Sequence, residues 1–214
     1  MTSTLKRYGI FLVGLFIASL GVAFSTKAGL GTSPVASVPF SISLANRALS
    51  FGWWLNLLSV VQILIQVAVL RGKCNYVEIG IQTVLAFVYG TLTDFSCRLL
   101  DGIHPVGYAA QFALMLTGCA VLALGIWIQY QGGVAMLPGE AMNRAISQVT
   151  GKRYENVKVF FDVLYIVVAA AIGLLFLGRL EGVREGSVIA ALLVGNLIKL
   201  YGRLFKRIRG REVA

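Results

Sequence analysis

Long apolar runs with almost no internal charge are the feature that most constrains the fold of this chain. The first extends from about residue 8 to residue 26, and similar runs recur along the sequence. Hydrophobic residues make up 57% of the 214 positions and charged residues only 13%, a balance that a soluble core cannot absorb. A helix of about 20 apolar residues crosses a bilayer. The sequence therefore predicts an all-α, polytopic transmembrane bundle forming one membrane domain, 1–214.

Six runs have the length and apolarity of membrane-crossing helices. They are predicted at about 8–26, 53–70, 76–95, 108–128, 157–177 and 187–201. The first follows Lys6 and Arg7 and so resembles a signal peptide, but it is longer than the apolar core of a typical signal. We therefore expect it to be a retained first span.

Two glycine-rich stretches, each containing a proline, follow the first and fourth runs. They read GLGTSPVA at 29–36 and GGVAMLPGE at 132–140. Proline is favoured in the first turn of a helix, where its missing N–H has no intrahelical acceptor in any case. Each stretch is followed by a short helical segment, predicted at 34–49 and 139–149, too short to cross a bilayer comfortably. These segments are predicted to be broken or re-entrant helices.

The two halves of the chain resemble each other. Pro34 and Pro138 are 104 positions apart, and the same offset aligns other pairs: Gly14 with Gly118, Gly21 with Gly125, and Gly29 with Gly133. The pattern predicts two structural repeats, 5–100 and 107–205, each with three spans and one short helix. If the short helices instead cross, each half has four spans and the halves are parallel.

Basic residues favour the arrangement of three spans per half. In that arrangement Lys6, Arg71, Lys152 and the basic tail at 206–214 lie on one side, which the positive-inside rule makes cytoplasmic. Both termini are then cytoplasmic. The net charge of +10 does not require nucleic-acid binding, because no pattern of stacking aromatic residues accompanies the tail. The expected partner is the lipid bilayer, and a homo-oligomer is compatible with the sequence.

A binding site is predicted where the two short helices begin. Two half-helix N-termini near the bilayer midplane present free amides and positive dipole ends, as in transporters that bind anions or carboxylates there. The candidate substrate-binding residues are Glu140, Asp162, Thr32, Ser33, Asn143, Arg144 and Lys27.

Each main candidate also has a purely structural interpretation. Glu140 is spaced to pair with Arg144, and Asp162 with Lys158, at i,i+4 on a helix. Thr32 or Ser33 could cap the first short helix, and Lys27 could extend to the membrane interface. Intramembrane carboxylates are nevertheless costly and commonly functional, which favours Glu140 as a site residue.

No catalytic, metal or cofactor pattern is recognisable. The three cysteines, Cys74, Cys97 and Cys119, lack CxxC spacing, and His104 is the single histidine. No phosphate-binding GxxxxGK[ST] segment occurs. We expect neither an enzyme nor a cofactor or metal.

Several segments resemble the YczE/YyaS/YitT-like family of bacterial membrane proteins. They are KAGLGTSP at 27–34, LPGE at 137–140, the loop containing Lys152, KVFFDV at 158–163 and FLGRLEGVREGS at 176–187. A tryptophan often follows the first proline in that family, whereas this chain has Val35. The resemblance implies a multi-pass protein of the bacterial inner membrane and supplies no substrate.

Three functions fit these features. The first is a small-solute transporter or permease with its site between the half-helices. The alternatives are a membrane-embedded substrate-binding subunit that depends on a separate ATPase, and a non-transporting accessory protein. The substrate, small molecule or ion, is not specified by the sequence.

Overall fold

The computed structural model describes residues 2–71, 74–180 and 182–209, and all regular secondary structure in these ranges is helical. The helices are α1 (Thr2–Ala28), α2 (Pro34–Ala45), α3 (Phe51–Leu70), α4 (Tyr76–Leu99), α5 (Tyr108–Gly132), α6 (Pro138–Thr150), α7 (Tyr154–Ile172) and α8 (Glu185–Arg209). A π-helical turn, Gly173–Leu177, continues α7. Part of the predicted basic tail, 210–214, lies outside the described residues.

Five of these helices are long and apolar enough to cross a membrane. The stretches are Thr4–Ala28, Phe51–Leu70, Tyr108–Gly132, Tyr154–Leu177 and Glu185–Phe205. The predicted span at 76–95 is the exception: its helix α4 has 24 residues but carries Glu78, Asp94 and Arg98. The chain is therefore a multi-pass helical protein with five clear candidate spans in its described residues, whereas the sequence predicted six.

Helices α1 and α5 form the tightest pair, and glycine makes their close approach possible. A Cβ added at Gly14 would lie 2.8 Å from the carbonyl oxygen of Gly125, and one added at Gly118 would lie 2.9 Å from that of Gly21. Small residues at such crossings let helix backbones touch in a membrane. The seven-residue spacing places the two glycines of each helix on one face. These two faces pack against each other along a continuous α1–α5 seam.

The chain enters and leaves the segment that contains α2 at the same end of the bundle. At the end of α1, Lys27 Nζ lies 2.5 Å from Asp101 Oδ1, just beyond the C-terminus of α4. At the start of α3, the backbone N–H of Gly52 donates to Asp94 Oδ1 at 2.7 Å, in the last turns of α4. The chain therefore leaves α1 and enters α3 at that one end of α4, and the 12 residues of α2 lie between these points.

The short helices differ slightly from their predicted limits. The first ends at Ala45 rather than at residue 49, and Asn46 closes it by donating its backbone N–H to Ile42. Pro39 lies inside α2 and is buried there, so this proline does not break the helix. The second, α6, extends to Thr150 and ends at Gly151, whose positive φ of 67° suits glycine.

Candidate functional site

The N-terminal turns of α2 and α6 line one cavity of about 220 Å³. Ser33 and Pro34 contribute from the first, and Pro138 and Glu140 from the second. Residues of the other six helices complete the walls. Two stretches 104 positions apart in sequence therefore meet at a single site.

The glycines before α2 allow the chain to turn back into the bundle. Gly29 and Gly31 have φ values of 70° and 96°, which side chains rarely adopt. Gly31 also lies directly against Ser187 at the start of α8. The carbonyl of Leu30 accepts a hydrogen bond from the N–H of Gly186 at 3.0 Å. These contacts fix the point at which α2 begins.

Glu140, in the first turn of α6, is bound by a tyrosine rather than by an arginine. The hydroxyl of Tyr130 donates to Glu140 Oε1 at 2.8 Å. Arg144, the predicted i,i+4 partner, instead directs Nη1 to Met136 Sδ at 3.7 Å. Arg144 is exposed and does not line the cavity. The structural interpretation of Glu140 as half of an ion pair with Arg144 is therefore wrong.

Lys158 and Asp162 form an ion pair in the cavity wall. Lys158 Nζ lies 3.0 Å from Asp162 Oδ2, and the Asp162 side chain is 16% exposed. Both residues line the cavity together with Glu140. The predicted i,i+4 pair is thus present, and it faces the same space as the candidate carboxylate.

Asn143 lies one turn beyond Glu140 and also lines the cavity. Its side chain is among the buried ones, with 5% of the residue exposed. Its Oδ1 atom has no hydrogen-bond donor among the described residues. An unmatched buried carbonyl costs about 1–3 kcal/mol, so a hydrogen-bond donor that reached this atom would be stabilising.

Three predicted site residues lie outside the cavity lining. Thr32 is fully buried, and its hydroxyl has no partner among the described residues. Lys27 binds Asp101 at the end of α1, and Arg144 contacts Met136. Ser33 does line the cavity and occupies the N-cap position of α2, yet its side chain makes no capping hydrogen bond. The structure thus groups Ser33, Glu140, Asn143 and Asp162 and separates the other three from them.

The ion pair of Lys27 with Asp101 gives the first prediction. The Lys27 ammonium holds the pKa of the Asp101 carboxyl below its usual range, so the stabilisation is present at neutral pH and is lost as pH falls through that lowered pKa. The Asp101 side chain is 69% exposed, and exposed pairs contribute little. Asp101→Asn should lower the thermal midpoint in detergent by about a degree at most. A drop of many degrees would show that this pair is more important than its exposure implies.

Gln62 is a cavity residue that the sequence interpretation missed. It lies in α3, lines the cavity and is 3% exposed. Its Nε2 donates to the hydroxyl of Tyr165 on α7 at 3.0 Å. A Cβ added at Gly139 would lie 3.2 Å from the same nitrogen. The signal that could have revealed it is an amide in the middle of an apolar run, since such groups require a polar partner in a membrane.

Tyr165→Phe tests the bond between α3 and α7. Removing the hydroxyl leaves Gln62 Nε2 without its acceptor while preserving the packing of the ring, so we expect a loss of about 1 kcal/mol of stability. The thermal midpoint in detergent measures it. The matched control is Tyr108→Phe on an exposed tyrosine, for which the midpoint should be unchanged. Equal midpoints for both variants would contradict a stabilising role of the bond.

Comparison with known proteins gives a family and one relative. The model of a family of unknown function, DUF6198, matches residues 5–203. The "Uncharacterized protein YyaS" of Bacillus subtilis (strain 168) is 23% identical over 202 residues, covering 94% of each chain. This finding confirms the resemblance seen in the sequence. No solved structure matches the chain significantly. The chain belongs to DUF6198, a family of unknown function.

Proposed function

We propose that this protein is a small-solute transporter or permease of the bacterial inner membrane. The observation that carries the proposal is the shared cavity, lined by the first turns of both proline-initiated helices and by Glu140, Lys158 and Asp162. Charged groups within a bundle of membrane helices are costly and typically mark a solute or proton pathway. Half-helices that meet at a central cavity are a recurrent construction of secondary transporters.

Pseudo-symmetric contacts support two inverted repeats. The offset of 104 positions makes Gly14 equivalent to Gly118 and Gly21 equivalent to Gly125. The contact of Gly14 with Gly125 therefore corresponds to that of Gly118 with Gly21, and both occur in the α1–α5 seam. The helix pairs show the same correspondence. The packing of α2 on α7 corresponds to that of α6 on α3, and the packing of α1 on α4 corresponds to that of α5 on α8. A two-fold relation between the halves produces such paired contacts.

The proposed topology has both short helices re-entrant and α4 as a sixth crossing. The end of α1 and the start of α3, between which α2 lies, meet the same end of α4, through Lys27 with Asp101 and Gly52 with Asp94. At the other end, Arg7 near the start of α1 donates to the carbonyl of Gly132 at the end of α5. An even number of crossings then places both termini in the cytoplasm, as the basic residues favour.

One departure from the symmetry suggests where the cavity opens. In the first repeat α3 and α4 pack closely, with Gly52 against Gly90. In the second repeat α7 packs on α2 and α6, while α8 packs on α5. Small residues of α8, Ala190, Ala191 and Gly195, line the cavity instead of a helix seam. The space between α7 and α8 is therefore our proposed access route.

Lipid is the proposed surroundings of the outer helices. Only 17% of the most apolar part of α7 and 6% of that of α8 is buried inside the bundle. Large apolar side chains such as Phe160, Leu175 and Leu192 are more than 60% exposed. Such a surface is costly in water and favourable in hydrocarbon.

The test is transport by the purified protein alone. A thermal-shift screen in detergent identifies stabilising solutes, and each is then offered to proteoliposomes that contain only this chain. We expect uptake or counterflow above that of protein-free liposomes. Binding without transport would instead favour the substrate-binding subunit, which should then co-purify with an ATPase. Neither binding nor transport would favour the accessory protein.

A further inference from the structure

We infer that the solute is a small zwitterion, with its ammonium group at Glu140 and Asn143 and its anionic group at the N-terminus of α2. This inference rests on the proposed function and specifies its substrate class. It depends on a difference between the two half-helices: one supplies acceptors to the cavity, and the other supplies donors.

The α6 side of the cavity presents hydrogen-bond acceptors. Glu140 Oε1 accepts from Tyr130, and its exposed neighbour Arg144 is turned to Met136. Asn143 Oδ1, one turn further on, is buried and has no donor in the described part of the chain. The ammonium of Lys158 is engaged by Asp162. A carboxylate and an amide oxygen on one helix face are together suited to a ligand that donates several hydrogen bonds and carries a positive charge.

The charge of the lining agrees with a cationic group on this side. Among the lining residues the acidic and basic side chains are Glu140, Lys158 and Asp162, one lysine against two carboxylic acids, for a formal charge of −1. Glu140 also lies in the first turn of α6 and so compensates the positive end of that helix. The N-terminus of α6 therefore has no uncompensated positive dipole end.

The α2 side of the cavity presents the opposite character. The first turn of α2 contains no acidic residue, and the Ser33 side chain at the N-cap makes no capping hydrogen bond. Ser33 and Val35 line the cavity. The first amides of a helix have no intrahelical acceptor, and the helix end carries about half a positive charge. An anionic group of the ligand is the acceptor that completes this turn.

A zwitterion satisfies both ends, whereas a ligand with one charge satisfies only one. A simple cation leaves the amides of α2 without an acceptor, and a simple anion meets the carboxylates of Glu140 and Asp162. Apolar side chains of the lining, including Leu55, Leu58, Leu122 and Ile126, suit a short hydrocarbon segment. The volume of about 220 Å³ is large enough for a small amino acid.

Binding of matched probes to the detergent-purified full-length chain tests the inference. γ-Aminobutyrate is compared with butylamine and butyrate, which each keep one of its charges, and leucine and β-alanine vary the spacing of the charges. We expect at least one zwitterion to bind ~10-fold or more tighter than both single-charge probes, by titration calorimetry.

Equal or tighter binding of butylamine or butyrate would contradict the zwitterion inference without contradicting the proposed transport function. If no zwitterion binds but another solute is taken up by proteoliposomes, this inference fails alone. If nothing binds or is transported, the proposed function fails with it.

Two variants assign the ends of the ligand. Glu140→Gln should weaken the zwitterion ~10-fold or more and leave butyrate no weaker, while Glu155→Gln, on an exposed glutamate outside the cavity lining, should change neither. Val35→Asp puts a carboxylate in the first turn of α2, and it should weaken the zwitterion and butyrate and strengthen butylamine. Val35→Asn has nearly the same shape as Val35→Asp but no charge, so it separates the effect of the added charge from that of the change of shape. Weakening of butylamine by Val35→Asp, or of butyrate by Glu140→Gln, would overturn the assignment. Gel filtration checks that each variant is folded. If Val35→Asp is misfolded, the Glu140→Gln result alone decides the assignment.

Discussion

Proteoliposomes that contain the Glu140→Gln variant should show no solute uptake above protein-free liposomes, although the protein still folds. The substitution keeps the shape of the side chain and the acceptor for Tyr130, but it removes the negative charge from the cavity. Losing one partner of a desolvated, hydrogen-bonded charge contact costs about 2–5 kcal/mol. We therefore expect a loss of ~100-fold or more in transport at low solute concentration. The measurement is initial uptake of the solute identified in the screen.

Two controls make this result interpretable. Glu155→Gln is the same substitution at the start of α7, on a side chain that is 70% exposed and pairs with Arg153. It should transport like the wild type. The gel-filtration profile and thermal midpoint of Glu140→Gln should remain close to those of the wild type, because the bond to Tyr130 can be kept. Wild-type uptake by Glu140→Gln would remove this carboxylate from the mechanism.

Gly125→Leu should prevent the bundle from assembling. A Cβ at Gly125 would lie 2.7 Å from the Gly14 carbonyl oxygen and from Ala18 Cα, both of which are backbone atoms. A helix backbone cannot yield as a flexible side chain can, so α1 and α5 would have to separate along their seam. Overpacking usually costs 1–3 kcal/mol, and here we expect the upper end, ~3 kcal/mol or more. The measurements are the yield of monodisperse protein and its thermal midpoint.

Gly80→Leu is the matched control for that prediction. Gly80 is also helical, in α4, but it is exposed and a Cβ there would meet nothing within 4 Å. It should give a near-normal yield and midpoint. If Gly125→Leu behaved like Gly80→Leu, the close α1–α5 seam would not be what holds the two halves together.

The sequence by itself determined the helical class and most helix limits to within a few residues, although α1 begins six residues before and α8 ends eight residues after the predicted limits. Uninterrupted apolar runs leave little alternative, because the backbone in a bilayer must satisfy its hydrogen bonds within each helix. The prolines marked the starts of α2 and α6 for a local reason, their fixed φ and absent N–H. The family resemblance was also readable, through short motifs such as LPGE at 137–140. The predicted span at 76–95 was the exception among the spans: it is not one of the five clear candidates, because the charged ends of α4 lower its apolarity.

Only the tertiary structure decided which side chains meet. Spacing on one helix correctly predicted Lys158 with Asp162 but not the partner of Glu140, which is Tyr130 on another helix. Gln62 entered the cavity wall because α3 packs against Gly139 and α7, a contact between distant parts of the chain. Local patterns report helix propensity and amphipathicity, which act over one or two turns. The composition of the site depends instead on how helices from the two halves pack, and the glycine seam between α1 and α5 sets that packing.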